Sequence, residues 1–277
     1  MSAGRDLEPS DILAAMKIPH DAVEALIRET LELFIMPRFD RLLPGEISEK
    51  QANDFVTIAD TEAEQHMTPR LTALLPGSHV LGEEAASRNP DLLRLLESDD
   101  LLWLVDPIDG TRSFMAAQSG FAVIIALVRA GEILGGWIHQ PIGERWVHVE
   151  RGAGVTTSAA TMTPRAGMSG FFLGRAPDGA RSRDSAAAAN IDARLHPGSG
   201  AIAFIDLAMD DVDLAYFARG WPWDHAAGAL IAHEKGGVAN FLVDAARYTP
   251  RRWNQPLLVA RDQGSWDLTR DALITRR

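Results

Sequence analysis

The chain has 277 residues, 46% hydrophobic and 23% charged, and contains no cysteine. Disulfides and thiolate metal sites are therefore excluded, and the length suits one large domain or two closely joined ones with a sizeable core. The 38 acidic against 27 basic side chains, a formal net charge of −11, work against non-specific binding to nucleic acid or anionic lipid.

The opening MSAGRDLEPSDILAAM lacks the apolar core of a secretion signal, and no later stretch approaches the roughly 18 apolar residues of a membrane span. A cytoplasmic protein without a membrane partner is expected. Residues 20–39 carry apolar side chains at helical spacing and stop near Pro37. NDFVTIAD (53–60) alternates like a strand, and residues 61–75 read as a helix bent at Pro69. A short strand SHVLGEE follows, then LLWLVD ending at Asp106. Two long apolar strands joined at Ala130-Gly131 come next, and a further strand at 144–150. Past the glycine-rich RGAGVTTS, the stretches RSRDSAAAANIDA and AIAFIDLAMD predict helices and DLAYFAR a strand. WDHAAGALIAHEKGG predicts a helix ending at a glycine pair. Strands VANFLV and QPLLVA and a terminal helix complete the chain. The fold class is α/β: an α+β unit rich in antiparallel strands over 1–150, and an α/β unit over 151–277.

Three acidic clusters lie just past apolar strands or at a helix start: Glu83 and Glu84 in LGEE, Asp106 and Asp109 in DPIDGT, and Asp224 in WPWDHAAG. Two carboxylates three residues apart at the mouth of a strand repel each other unless a cation lies between them. The common donor is oxygen, which suits hard cations such as Mg²⁺. Asp106 can bridge two cations about 4 Å apart and Asp109 can close one of them, while Pro107 stiffens the turn so that the Ile108 carbonyl points inward. Gly110 and Thr111 open a short helix whose free N–H groups suit a phosphate. Read singly, each cluster is ordinary turn, helix-cap or solvated-loop chemistry, with Asp224 a plausible N-cap. A calcium module ranks last, because its acids belong in one short loop.

GEE, DPIDGTRSF and WDHAAGALIAHEKGG, in this order and spacing, together with the FVTIAD strand upstream, resemble the inositol monophosphatase family of Mg²⁺-dependent, lithium-sensitive phosphomonoesterases. The resemblance runs from about residue 54 to about 240. It implies a layered αβαβα sandwich of the inositol monophosphatase and fructose-1,6-bisphosphatase type, assembled as a homodimer. It implies two or three Mg²⁺ ions held by Glu83, Asp106, Asp109, Asp224 and the carbonyl of Ile108, with Glu84 behind Glu83. Thr111 resembles the hydroxyl that orients the attacking water, with Asp60 as its partner across the cleft. Direct hydrolysis of a small phosphorylated metabolite follows, with proton acceptance through the Thr111–Asp60 pair or Glu83.

The sequence departs from inositol-hydrolysing relatives just before WD, where they carry an acid that binds ring hydroxyls. Here the stretch is YFARGWPWD, with Phe217 at that position and Arg219, Trp221 and Trp223 nearby. Inositol 1-phosphate is therefore expected to be a poor substrate, and histidinol phosphate, a sugar bisphosphate or a 3′-phosphonucleotide stand as alternatives. A non-catalytic phosphate-binding relative is disfavoured because every matching acid is present. Arg175, Arg181 and Arg183 are candidates for a second anionic group, and Lys50 for the phosphate zone. The histidines, His225 included, are expected in packing or surface roles.

Overall fold

Strands made of long apolar runs must be covered on both faces, and the three longest in this chain do lie side by side. β4 (Leu101–Asp109), β5 (Ala122–Arg129) and β6 (Glu132–Gln140) are buried over almost their whole length. In this computed structural model, which describes residues 17–52, 54–158, 167–177, 182–195 and 198–274, they form the middle of a six-stranded sheet. Its order is β3 (His79–Gly82), β4, β5, β6, β7 (Arg145–Glu150) and β8 (Gly154–Thr157); only the β3–β4 pair is parallel. A five-stranded sheet follows in the order β10 (Asp192–Ala193), β9 (Ser169–Leu173), β11 (Leu214–Phe217), β13 (Leu257–Ala260) and β12 (Val238–Phe241). β9, β10 and β11 run parallel there, and β13 is antiparallel to β11 and β12.

Side-chain alternation along these strands sorts the core into three layers of packing. Trp103, Val105, Val123 and Ile125 face α1 (His20–Thr30) and α2 (Ile58–Leu74). Leu102, Leu104, Ile124 and Ala126 face the opposite way, into a shared core with α6 (Gly200–Ala208) and α7 (Pro222–Glu234). Phe217 and Val259 of the second sheet close that core from its other side. Phe172, Leu214 and Tyr216 then pack outward against Ala186 of α5 (Ser182–Ala188) and Trp266 of α8 (Gln263–Ile274). The result is the layered helix, sheet, helix, sheet, helix arrangement that the family resemblance implies. α3 (Glu83–Arg88) and α4 (Thr111–Met115) are short and sit at strand ends.

The middle helix layer is thin because its residues are small. A Cβ on Gly228 of α7 would lie 2.2 Å from the Phe204 ring of α6, so the glycine of the WDHAAG motif sets how closely the two helices approach.

Two boundaries differ from the sequence reading, and two of the strands were not part of it. The strand expected over 53–60 ends at Thr57, and Ile58–Asp60 form the first turn of α2. Thr57 caps that helix: its hydroxyl accepts from the Ala59 N–H, while Asp60 accepts from the Thr57 N–H at 2.8 Å. The helix expected over 181–193 stops at Ala188, beyond which Asn190 turns left-handed at φ 56° and Asp192–Ala193 join the sheet edge. β1 (Ile47–Gln51), which pairs with β2 (Asp54–Thr57) as a hairpin, and β9 were not foreseen.

Candidate active site

Parallel pairing brings two of the acids together. Gly82 of β3 stands opposite Val105 of β4, so the residues that follow them, Glu83 at the start of α3 and Asp106 within β4, come side by side. Asp224 arrives from the first turn of α7, where Trp221 and not Asp224 is the N-cap. Carboxylate oxygens of Glu83, Asp106 and Asp224 all lie within 4.8 Å of one another. Burial, Glu83, Asp109 and Asp224 hold the Asp106 carboxyl well above the usual carboxylate range; burial, Asp109 and Glu83 do the same to Asp224.

Asp109 shares the strand with Asp106 through a bulge: Asp106 faces Ile124 and Asp109 faces Ala122, so Pro107 and Ile108 stand against one residue. The Asp109 carboxylate accepts from the Ala201 N–H at 2.5 Å, and also from Ser199 and the Gly200 N–H. Burial raises its pKa to about 6 against these bonds. The Ile108 carbonyl accepts the Thr111 hydroxyl at 3.1 Å, and the same hydroxyl lies 3.4 Å from Asp60 Oδ1. The other Asp60 oxygen accepts from the Thr57 hydroxyl at 2.5 Å. Burial pushes the Asp60 carboxyl up to about 7.

Lys50, carried in by the β1–β2 hairpin, donates to Glu83 at 2.6 Å and to Glu84 at 3.0 Å. Burial opposes its charge, yet the two glutamates hold its pKa above the ordinary lysine value. Burial and Glu83 raise Glu84 to about 8. Behind them the buried Glu64 accepts from the N–H groups of Glu84 and Ala85, at 2.7 and 2.8 Å, and fixes the start of α3. A Cβ on Gly82 would lie 2.2 Å from the Glu64 carboxylate, which accounts for the glycine of the GEE motif.

The acids open into a cleft of about 650 Å³ whose wall includes Asp109, Thr111, Phe217, Arg219 and Asp224. The donor set is entirely oxygen, and one lysine does not neutralise three converging carboxylates. These residues therefore fit a hard divalent cation.

The family model of the inositol monophosphatase family matches residues 21–267. The chain belongs to the inositol monophosphatase family. An inositol-1-monophosphatase of Caulobacter vibrioides is 34% identical over 213 residues, 72% of this chain and 80% of that protein. A Nus factor SuhB of Pseudomonas aeruginosa is 31% identical over 222 residues, 74% and 79% of the two chains. The solved structure of a Thermotoga maritima IMPase superposes with a TM-score of 0.73 at 22% identity, over 91% of this chain and 96% of that one, and shares the fold. Membership makes this inositol monophosphatase-family chain a phosphoric monoester hydrolase.

Of the residues singled out for substrate, Phe217 and Arg219 line the cleft. Phe217 is buried, stacked on Phe204 at 5.0 Å and edge-on to His225 at 4.6 Å. Trp221 lies elsewhere: it stacks on Trp223 at 5.3 Å and Trp253 at 4.8 Å, beside a small cavity shared with Lys50 and Glu83. His225 is buried, bonded through Nδ1 to the Trp221 carbonyl at 3.1 Å, and burial lowers its pKa to about 4. Arg183 is exposed and donates to the Ala193 carbonyl, Arg175 lines a neighbouring cavity, and Arg181 lies outside the described residues. Thr57, Glu64 and the Ser199–Ala201 turn were not singled out from the sequence. Only the S/T-x-x-D spacing of Thr57 and Asp60 offered a signal.

Proposed function

We propose that this chain hydrolyses a small phosphate monoester in the cleft, with Mg²⁺ held by Glu83, Asp106, Asp109, Asp224 and the Ile108 carbonyl. Mg²⁺ bound there supplies positive charge for the phosphoryl oxygens and the leaving oxygen. Gly110 and Thr111, on the cleft wall, receive the phosphate. The Thr111 hydroxyl, held toward Asp60, orients a water in line with the ester bond. As the water oxygen bonds to phosphorus and the ester P–O bond breaks, the water proton passes through Thr111 to Asp60. A carboxyl with a pKa of about 7 is suited to that acceptance near neutral pH. The leaving alkoxide takes a proton from solvent and departs as the alcohol, and inorganic phosphate remains, without a phospho-enzyme.

The observation that carries this reading is the convergence of Glu83, Asp106 and Asp224 beside the Thr111–Asp60 pair. Phosphate release from a panel of monoesters tests it: turnover requires Mg²⁺, stops with chelator, and is nearly abolished in Asp106→Asn. Full turnover in chelator overturns it. With Phe217 in place of an acid, inositol 1-phosphate does not lead the panel by tenfold. Lithium inhibits, as the family resemblance implies.

A further inference from the structure

His225 follows Asp224 in the first turn of α7, is only 2% exposed, and still lines the catalytic cleft. Its two ring nitrogens are in different situations. Nδ1 lies 3.1 Å from the Trp221 carbonyl, and a carbonyl only accepts, so Nδ1 carries the hydrogen. In the neutral ring that burial favours, Nε2 is then a bare acceptor. The Nδ1–Cε1 edge is closed off, since a Cβ on Gly220 would overlap both of those atoms. The rings of Phe217, Phe204 and Tyr248 stand edge-on to the imidazole, with centroids at 4.6, 6.0 and 6.5 Å. The buried Tyr248 hydroxyl makes no hydrogen bond among the described residues, so even this neighbour does not donate to Nε2. No other described residue does. The edge left toward the cleft is the one that carries Nε2, and a desolvated acceptor is costly until something donates to it. Phe217 and its strand partner Leu173 make the wall beside it apolar, so a single lone pair there takes one donor and serves no second.

We propose that His225 is a specificity residue whose Nε2 accepts a hydrogen bond from one hydroxyl on the alcohol half of the substrate. The inference rests on the cleft being the hydrolytic site proposed above. The test compares hydroxyethyl phosphate with propyl phosphate in Mg²⁺, two esters that differ by a hydroxyl in place of a methyl. The kcat/KM ratio is expected to favour the hydroxyl ester by about fivefold or more. His225→Asn sets an amide where Nδ1 stands, so it keeps the bond to Trp221 and lacks the acceptor; it lowers the ratio to under half. His225→Gln sets its amide oxygen where Nε2 stands, and retains more than half of the ratio. Taking the ratio cancels losses of folding or metal chemistry that both esters share. A ratio below fivefold in the unmodified chain, an Asn variant that keeps half or more of it, or an equal fall in both variants overturns the assignment and leaves monoester hydrolysis intact. Imidazole nitrogen NMR on the slow Asp60→Asn background needs no substitution at His225 and no turnover. It should show the hydrogen on Nδ1, and an Nε2 signal that hydroxyethyl phosphate moves and propyl phosphate does not. An Nε2 signal that both esters move alike, or that neither moves, overturns the acceptor. If neither ester is hydrolysed by the unmodified chain but Nε2 responds to the hydroxyl ester alone, the hydrolytic reading fails and the acceptor stands.

Discussion

Thr111 and Asp60 are 51 positions apart, and their 3.4 Å contact is what turns a hydroxyl into a directed group. Thr111→Ala should lower kcat about a hundredfold and move KM little, because the lost contact belongs to the transition state. Asp60→Asn added to it should cost little more; additive losses in steady-state kinetics would show that the two do not act as a unit. A different pair governs acid stability. His139 and His148 face each other, Nε2 to Nε2 at 2.7 Å, with Glu24 3.9 Å from the far nitrogen of His148. Burial, and for His139 also the neighbouring His148, lowers their pKa values to about 3 and about 4. An unfolded histidine takes up its proton near pH 6.5, so the unfolded chain binds more protons below that value. The stability these residues hold above pH 6.5 is lost as pH falls toward the folded values. Denaturant titrations at pH 7 and 5 should show a loss about 1–2 kcal/mol smaller in His139→Gln than in the parent chain. At this scale the converging acids were legible because each sits at a strand end or helix start within a short motif. The Lys50–Glu83 pair and the Asp109–Ala201 bond were not, since they join residues 33 and 92 positions apart through tertiary packing.

The acids owe their convergence to residues that are not among them. α3 begins where it does because Glu64 of α2 receives its first N–H groups, and Gly82 leaves room for that carboxylate. Gly82→Ala should displace Glu64, cost about 1–3 kcal/mol in denaturant titration, and lower activity by shifting Glu83. Unchanged stability and activity would show that the close approach has no role. β1 escaped the sequence reading because ISEKQ is largely exposed and its polar run shows no alternation. β9 escaped because SGFFL is a short continuous apolar run, which periodicity does not separate from loop or helix. The long strands 122–129 and 132–140 were plain for the opposite reason: eight and nine residues of almost unbroken burial admit few alternatives.

For the molecule as a whole, the buried carboxylates oppose one another, so an ion that binds the folded chain alone stabilises it by mass action. Mg²⁺ at a hundred times its Kd should add about 2.7 kcal/mol, seen as a higher Tm that chelator reverses and Asp106→Asn lacks. The shift should shrink below pH 6, where protons on carboxyls of raised pKa compete with the ion. The five-layer order was expected from the family resemblance, whereas the run of helices and strands by itself suggested only two layered units; the bulge that turns Asp109 beside Asp106 was not expected, being a local defect in an otherwise regular strand. The site also has a chronology. Glu83, directly after β3, and Asp106 of β4 are placed by a sheet finished by residue 157, whereas Asp224 is delivered by a helix made much later and packed between both sheets. A growing chain holds an incomplete ion site until α7 docks. Ion capture therefore reports closure of the fold, and Mg²⁺ should slow unfolding while leaving the refolding rate unchanged.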